Sequence, residues 1–407
     1  MKKVIKEIVK KIVGPNNVRR VREFVNNRYR KKMGSLKVEP FDKERFQPGI
    51  NLIGSFSQDS GLGQSCRLVA KLIEKADIPH SFIEFTLSKE LIGNNKEFTD
   101  KLSSEYKYGI NLFHINMHEF DRSFKMIGKD KFDHHYNIAY WLWEMNEFPE
   151  EWIPLINVLD EIWTPSEFVS EAIRKVTDKP VYTIPYLVEA PYDDKYDRKY
   201  FGLPEDKFLY LMLFDSNSIS ERKNPKGVVQ AFKEAFPNKD QEVGLVIKIG
   251  NAKEKELEEL RKELEGYNTY FIDSRLSKVE VNSLVRDVDV YVSLHRAEGY
   301  GLVLAEAMLL GTPTIATNYS ANIEFQNKEN SCLVDYKLIK VGKDIYPYKK
   351  DYLWADPDIT QASGYMRDLY GTYIKNNKVH SDNHINSENE SINILKNRVR
   401  FLMENEE

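Results

Sequence analysis

The stretch "SLHRAEGYGLVLAEAMLLGTPTIATNY", Ser293 to Tyr319, decides the architecture. It closes the apolar run "DVYVSL" (Asp289–Leu294), which reads as a buried strand. The loop "RAEGYG" breaks that run, and a helix is expected to start near Leu302 and reach Leu310. "TPTIAT" (Thr312–Thr317) then reads as the next strand. Strand, loop, helix and strand in that order form one unit of a parallel α/β sheet. Ligands of such sheets sit at the carboxyl ends of strands, where the strand order switches. The loop lies at such an end.

Its chemistry suits an anionic ligand that also carries hydroxyls. A helix N-terminus exposes free N–H groups and partial positive charge, so Tyr300, Gly301 and Leu302 are candidates for phosphate. Gly299 and Gly301 let backbone approach a ligand closely. Glu298 lies in the loop, and Glu306 lies one turn inside the helix between Ala305 and Ala307. One carboxylate can accept two hydrogen bonds, which suits adjacent sugar hydroxyls. The plainer alternative is that Glu306 only pairs with a neighbouring cation.

Working outward, the same alternation fills the chain. Before the linker, strands are expected in "NLIGSF", "HSFIEF", "INLFHIN", "YNIAYWLW", "DEIWTP" and "VYTIPYLV". A helix over "GQSCRLVAKLIEKA" turns Leu68, Leu72 and Ile73 inward, and Ser166 is expected to cap the helix "SEFVSEAIRKV". "PYDDKYDRKYFGLPEDK" (Pro191–Lys207) is polar, rich in turn residues, and reads as the passage between domains. Strands "FLYLMLFD", "VGLVIKIG", "NTYFID" and "SCLVDY" follow, with helices between them. The near-continuous apolar strands predict sheets covered on both faces. The expected organisation is a leader at 1–37, an N-terminal Rossmann-like domain at 38–190 and a C-terminal one at 191–375. A polar stretch and final helix occupy 376–407.

The 407 residues are enough for two cores. Hydrophobic residues make up 41% and charged residues 30%. No apolar run reaches the roughly 18 residues needed to span a bilayer. Cys66 and Cys332 stand far apart, so a disulfide framework or zinc site is not expected and a reducing cytoplasm fits. The net charge is −4, yet thirteen Lys/Arg against two Glu give residues 1–37 a charge of +11. Val4, Ile5, Ile8, Val9 and Ile12 share one helical face rimmed by lysines. Residues 1–32 are therefore expected to lie on an anionic membrane surface, at the inner face of the cell membrane, or to dock on protein. The acidic body and the lack of a basic, aromatic-laced stripe argue against nucleic acid.

Further candidates follow the other strands. In "SERKNPKG" (Ser220–Gly227), Arg222 and Lys223 can meet a diphosphate, while Lys226 reads as solvated. Gly61 and Gly63 precede a helix where a donor phosphate or an acceptor could rest, and they form Gly-x-Gly-x-x-Cys with Cys66. With Glu84 ending the next strand, this half fits a dinucleotide fingerprint and keeps a nucleotide-dependent oxidoreductase as a minor alternative. Four residues, Ser57 to Ser60, displace Gly61 from the strand end and weaken that reading. Trp143 and Glu144 in "WLWEMNEF" are acceptor-side candidates, with core packing the alternative for the tryptophans. "DVD" (Asp287–Asp289) precedes its strand and is discounted as a metal site.

Glu298 and Glu306 match the E-x7-E signature of retaining family 4 (group 1) glycosyltransferases. "GLGQSCRLVAKLIEKADIP", "DEIWTPSEFVSEAI" and "ERKNPKGVVQAFKEAF" also resemble bacterial polysaccharide enzymes of that family, in the same order across residues 50–375. The resemblance implies the GT-B fold, in which two doubly wound domains face a central cleft. It implies transfer of a sugar from a UDP- or GDP-linked donor to a glycan or lipid-linked acceptor, with retention and with no metal or other cofactor. Lys223 matches the family lysine for the donor diphosphate. The usual arginine falls where this chain has Asn217 and Ser218, so Arg222 is the expected substitute. The family's H-x-H appears as His114-Ile115-Asn116, which makes Asn116 and His118 candidates at the sugar and His114 structural. Ser274 and Arg275, after "YFID", are placed near the base. A non-catalytic subunit that keeps the fold as a scaffold is the alternative, and oligomeric state is left open.

Overall fold

The computed structural model describes residues 26–87, 93, 95–216, 218–239, 242–376 and 388–403. The amphipathic face read at Val4 to Ile12 lies outside these residues, as does Asn217. The leader's described end, helix α1 at 26–33, docks on the protein itself. Met33 is fully buried, Arg30 Nε donates to Asp121 Oδ2 at 3.0 Å, and Asn157 Nδ2 donates to the Met33 and Leu36 carbonyls.

The N-terminal sheet contains β1 (Gln47–Gly54), β2 (His80–Glu84), β3 (Tyr108–His114), β4 (Tyr136–Tyr140), β5 (Glu161–Thr164) and β6 (Val181–Thr183). All pairings are parallel and the order is β2-β1-β3-β4-β5-β6. Every residue of β3 is buried, as a strand covered on both faces requires. Asn51, Asn111 and Asn137 stand opposite one another on β1, β3 and β4. Asn51 donates to Asn111 Oδ1 at 2.9 Å, and Asn111 donates to Asn137 Oδ1 at 3.1 Å. Slipping one strand by a residue would strand these buried amides, so the ladder pins the register.

The helices flanking this sheet follow their sequence signals. Helix α2 (Gly61–Lys75) buries Leu68, Leu72 and Ile73, and Ser60 caps it at the Gly63 N–H. Helix α3 (Met117–Ile127) follows β3. Helix α4 (Glu167–Arg174) is capped by Ser166, as its sequence predicts.

The C-terminal sheet contains β7 (Phe208–Asp215), β8 (Val243–Gly250), β9 (Thr269–Ile272), β10 (Val290–Ser293), β11 (Thr314–Thr317) and β12 (Cys332–Val334). Its order is β12-β11-β10-β7-β8-β9. The direction of winding therefore reverses between β7 and β10. Among the helices that pack on it are α5 (Ser220–Lys223), α6 (Pro225–Ala235), α7 (Glu254–Glu263), α8 (Lys278–Asp287) and α9 (Leu302–Leu309). Asp289 accepts from the Leu209 N–H and from Arg198 at the amino edge of this sheet, so the "DVD" stretch closes the linker.

Two features lie outside the sequence reading. Antiparallel strands β13 (Tyr336–Lys340) and β14 (Leu353–Pro357) form a hairpin on the C-terminal half. Tyr348, Tyr352 and Trp354 from it share one buried cluster with Trp143, Phe148 and Trp152 of the N-terminal half. After helix α10 (Ile359–Asn376), the final helix α11 (Glu388–Met403) packs on the first domain. Leu395, Val399 and Leu402 enter its core beside Leu68 and Leu72, and Arg398 forks onto the buried Glu161 carboxylate. The final helix expected within 376–407 thus packs in the N-terminal domain. Its apolar stripe needed a partner, and sequence position alone does not say which.

Candidate active site

The site forms at the winding reversal of the C-terminal sheet, from the loops after β7 and β10. Asn224 ends α5 in the left-handed region, at φ 54°. Its side chain accepts from the Gly227 N–H to start α6 and donates to the Leu294 carbonyl at 2.9 Å. Pro225 at the first helical position suits its missing N–H. This turn delivers Arg222 and Lys223 to the β10 loop, where the Arg296 N–H also donates to the Arg222 carbonyl at 2.7 Å.

Glu298 meets both cations. Lys223 Nζ donates to its Oε1, and Arg222 Nη1 lies 3.2 Å from its Oε2. The Glu298 N–H is held by Ser320 Oγ at 2.9 Å. Burial, which leaves Glu298 9% exposed, pushes its carboxyl up, but Lys223 and Arg222 outweigh it and hold the group down at about 2. It is a carboxylate at any physiological pH. Glu306 differs. Complete burial pushes its carboxyl up, and the Lys278 ammonium on Oε2 only partly offsets that. The cation-pairing alternative therefore holds for Oε2, and Oε1 is buried without a hydrogen-bond partner among the described residues.

Helix α9 starts after Gly301, whose φ of 92° favours glycine. Gly299 has a different reason from the one expected. A Cβ there would lie 2.4 Å from the Trp143 carbonyl oxygen, so the close approach is to the protein's own N-terminal half. Ser166 Oγ donates to the Gly299 carbonyl at 2.8 Å, and the Glu324 carboxylate accepts from the Glu167 and Phe168 N–H groups at 3.0 and 2.9 Å. Arg275, placed near the base by sequence, pairs with Asp59 of the opposite half. Tyr300 packs edge-on to Tyr186 with 4.8 Å between ring centroids, and Leu302 begins the helix beside it. The two domains thus touch at the site itself.

The N-terminal candidates divide. Asn116 sits at the end of β3, but its Oδ1 accepts from the Leu142 N–H at 2.9 Å, joining two strand-end loops. His118 lies with Trp152, 6.5 Å between rings, and burial lowers its pKa. No described contact joins it to Glu298 or Lys223. His114 is buried, its Nε2 meets Ser65 Oγ at 2.7 Å, and Ser65 also meets Tyr186. Gly63 is required because a Cβ would lie 2.1 Å from the Gln58 carbonyl oxygen, whereas Gly61 faces open space. Both oxygens of Glu84 are taken by Ser57, which leaves the oxidoreductase reading without its ribose ligand.

Two expectations need correction. Trp143 is 2% exposed and packs against Phe148, Trp152 and Tyr348, with its ring N–H on the Glu147 carbonyl. It is interdomain core and offers no ring face to an acceptor. Arg222 is 6% exposed and donates through Nη1 to the Ala297 carbonyl at 2.7 Å, so its fork is turned onto the protein. Lys223 keeps 27% side-chain exposure and remains the cation that faces outward. Tyr348 and Lys278, neither singled out by sequence, also reach the site's carboxylates. Tyr348 donates to Glu144, and Lys278 opens α8 in the capping box of Ser277 and Glu280. The capping box was legible as Ser-x-x-Glu, but its lysine's partner was not.

The family model described as Glycosyl transferases group 1 matches residues 193–337. Comparison with curated proteins by sequence gave no match. Among solved structures, a sucrose-phosphate synthase from Thermosynechococcus elongatus aligns with TM-score 0.56 and 14% identity, covering 88% of this chain and 97% of that one. HepE from Anabaena, solved in complex with UDP and glucose, aligns with TM-score 0.52 and 12% identity, covering 87% and 94%. A glycosyltransferase from Rickettsia africae aligns with TM-score 0.53 and 11% identity, covering 89% and 100%. The chain has the GT-B fold, and the match to the group 1 glycosyl transferase model falls within its second half.

Proposed function

We propose that this protein is a glycosyltransferase that moves a hexose from a nucleotide-diphosphate donor to a glycan or lipid-linked acceptor, with retention and without a metal. One observation carries the proposal: the Lys223–Glu298 ion pair stands at the winding reversal of the C-terminal sheet, beside the N-terminus of α9. The family match over this region and the UDP and glucose held by the Anabaena neighbour support it.

In this reading the diphosphate rests against Lys223 and the N–H groups of Tyr300 to Leu302, while Glu306 accepts from hydroxyls. The C1–O bond to the diphosphate breaks, and the acceptor oxygen bonds to C1 from the same face. The departing diphosphate takes the acceptor's proton, and stabilising its charge is the main catalytic task. Polysaccharide or glycoconjugate synthesis on the cytoplasmic side of a membrane fits the +11 charge of residues 1–37.

Thermal unfolding with UDP, GDP and ADP sugars tests the donor assignment. A ligand at one hundred times its Kd adds about 2.7 kcal/mol to stability. One nucleotide class is expected to raise the Tm by several degrees. No rise with any of them, together with no turnover, would refute the proposal.

A further inference from the structure

Arg222 is the pivot of a polar chain that leaves the candidate site and enters two other elements. Glu144 lies in the loop after β4, in the N-terminal half. Its Oε1 is 3.8 Å from Arg222 Nη2, and its Oε2 accepts from Tyr348 Oη at 3.0 Å. Tyr348 is 4% exposed, sits between β13 and β14, and packs edge-on to Trp143 with 5.5 Å between ring centroids. At the other end, Arg222 Nη1 reaches the Ala297 carbonyl and Glu298 Oε2.

The cluster balances two cations, Arg222 and Lys223, with two carboxylates, Glu144 and Glu298. A guanidinium is a rigid planar fork, so fixing one side fixes the other. Glu144 attracts Nη2 across 3.8 Å, Nη1 faces Glu298 Oε2 at 3.2 Å, and Lys223 holds Oε1. Neutralising Glu144 would leave Glu298 alone to serve two cations, one of them deeply buried. The fork, still held at the Ala297 carbonyl, would then pull more strongly on Glu298 Oε2 and draw the carboxylate off Lys223.

We infer that Glu144 and Tyr348 are positioning residues for sugar transfer, acting through Arg222 to hold the Glu298 carboxylate against Lys223. The inference rests on the proposed function of that site. It also makes the catalytic geometry depend on both domains and on the hairpin, because the two residues come from opposite sides of the seam.

Initial rates on the full chain test it, with Glu144→Gln, Tyr348→Phe and the double variant. Glu144→Gln should lower kcat about tenfold. The nucleotide-sugar KM should not rise, because the change leaves an extra positive charge near the diphosphate. Tyr348→Phe should lower kcat about threefold. The double variant should be no slower than Glu144→Gln, because both act along one chain of contacts. Unfolding midpoints should stay close to wild type, which a merely structural role would not allow alongside a tenfold kcat loss. An unchanged kcat, multiplying effects, or a kcat loss tracking a lowered midpoint would overturn the positioning role. A wild type that turns over no nucleotide sugar would overturn the proposed function and this inference with it.

Discussion

The two sheets each have a winding reversal, and the protein furnishes them differently. In the C-terminal sheet, the loops after β7 and β10 bring together Arg222, Lys223 and Glu298, all charged. In the N-terminal sheet, the matching region at the carboxyl ends of β1 and β3 includes Ser65, His114 and Tyr186, a neutral hydrogen-bonded set. Burial holds the His114 imidazole down at about 4, so it is uncharged at neutral pH. The contrast teaches where the protein tolerates desolvated charge. Burying ions is costly unless they are paired, and the N-terminal half uses such pairs as braces, Arg30 on Asp121 and Arg398 on Glu161. The charged set at the C-terminal reversal differs in that Lys223 keeps 27% side-chain exposure. The neutral region serves packing and the orientation of neighbouring loops.

Lys223→Ala attacks the charged side of this contrast and should have the largest effect. It removes the outward-facing cation and leaves Glu298 with Arg222 alone. A loss of 10²–10³ in turnover, about 3–4 kcal/mol of barrier, is the expected size for a charge-stabilising contact. Steady-state rates with the nucleotide sugar found by thermal shift would show it. Turnover within threefold of wild type would show that the charged loop is not the transfer site.

Gly299→Ala tests whether the charged loop depends on contact with the opposite half. The new Cβ would meet the Trp143 carbonyl at 2.4 Å, and both partners are backbone, so one segment must move. Overpacking of this kind costs about 1–3 kcal/mol. Urea unfolding should show that loss, and turnover should fall with it. A variant as stable and as active as wild type would mean the two loops part freely.

The smallest effect separates the two regions by pH. His114 titrates near 4 in the folded chain and near 6.5 when unfolded. Between those values the unfolded state binds more protons, so stability falls as pH drops from about 6.5 to 4. His118, His135 and His295, also lowered by burial, add to the loss of stability as pH falls below about 6.5. Glu298, held at about 2, stabilises above about 4.5, and its share is lost only as pH falls from there towards 2. His114→Gln should therefore flatten the upper window, by on the order of 1 kcal/mol, and leave the lower one intact. An unaltered slope above pH 4.5 in unfolding titrations would count against the neutral assignment.

The sequence by itself determined the two α/β halves, the cap at Ser166, and the loops that carry Lys223 and Glu298. These signals are local. Apolar periodicity, turn residues and cap spacing act within a few positions of one another. Only the tertiary structure decided which charges meet. Lys223 and Glu298 are 75 residues apart, and Tyr348 and Glu144 are 204 apart. Glycine at 299 reads the same whether a ligand or Trp143 approaches it, and a buried tryptophan reads the same as a sugar platform. The return of α11 to the first domain follows from an apolar stripe with no local partner. Partner choice at long range depends on how whole elements pack, and that information is not carried by any short window of residues.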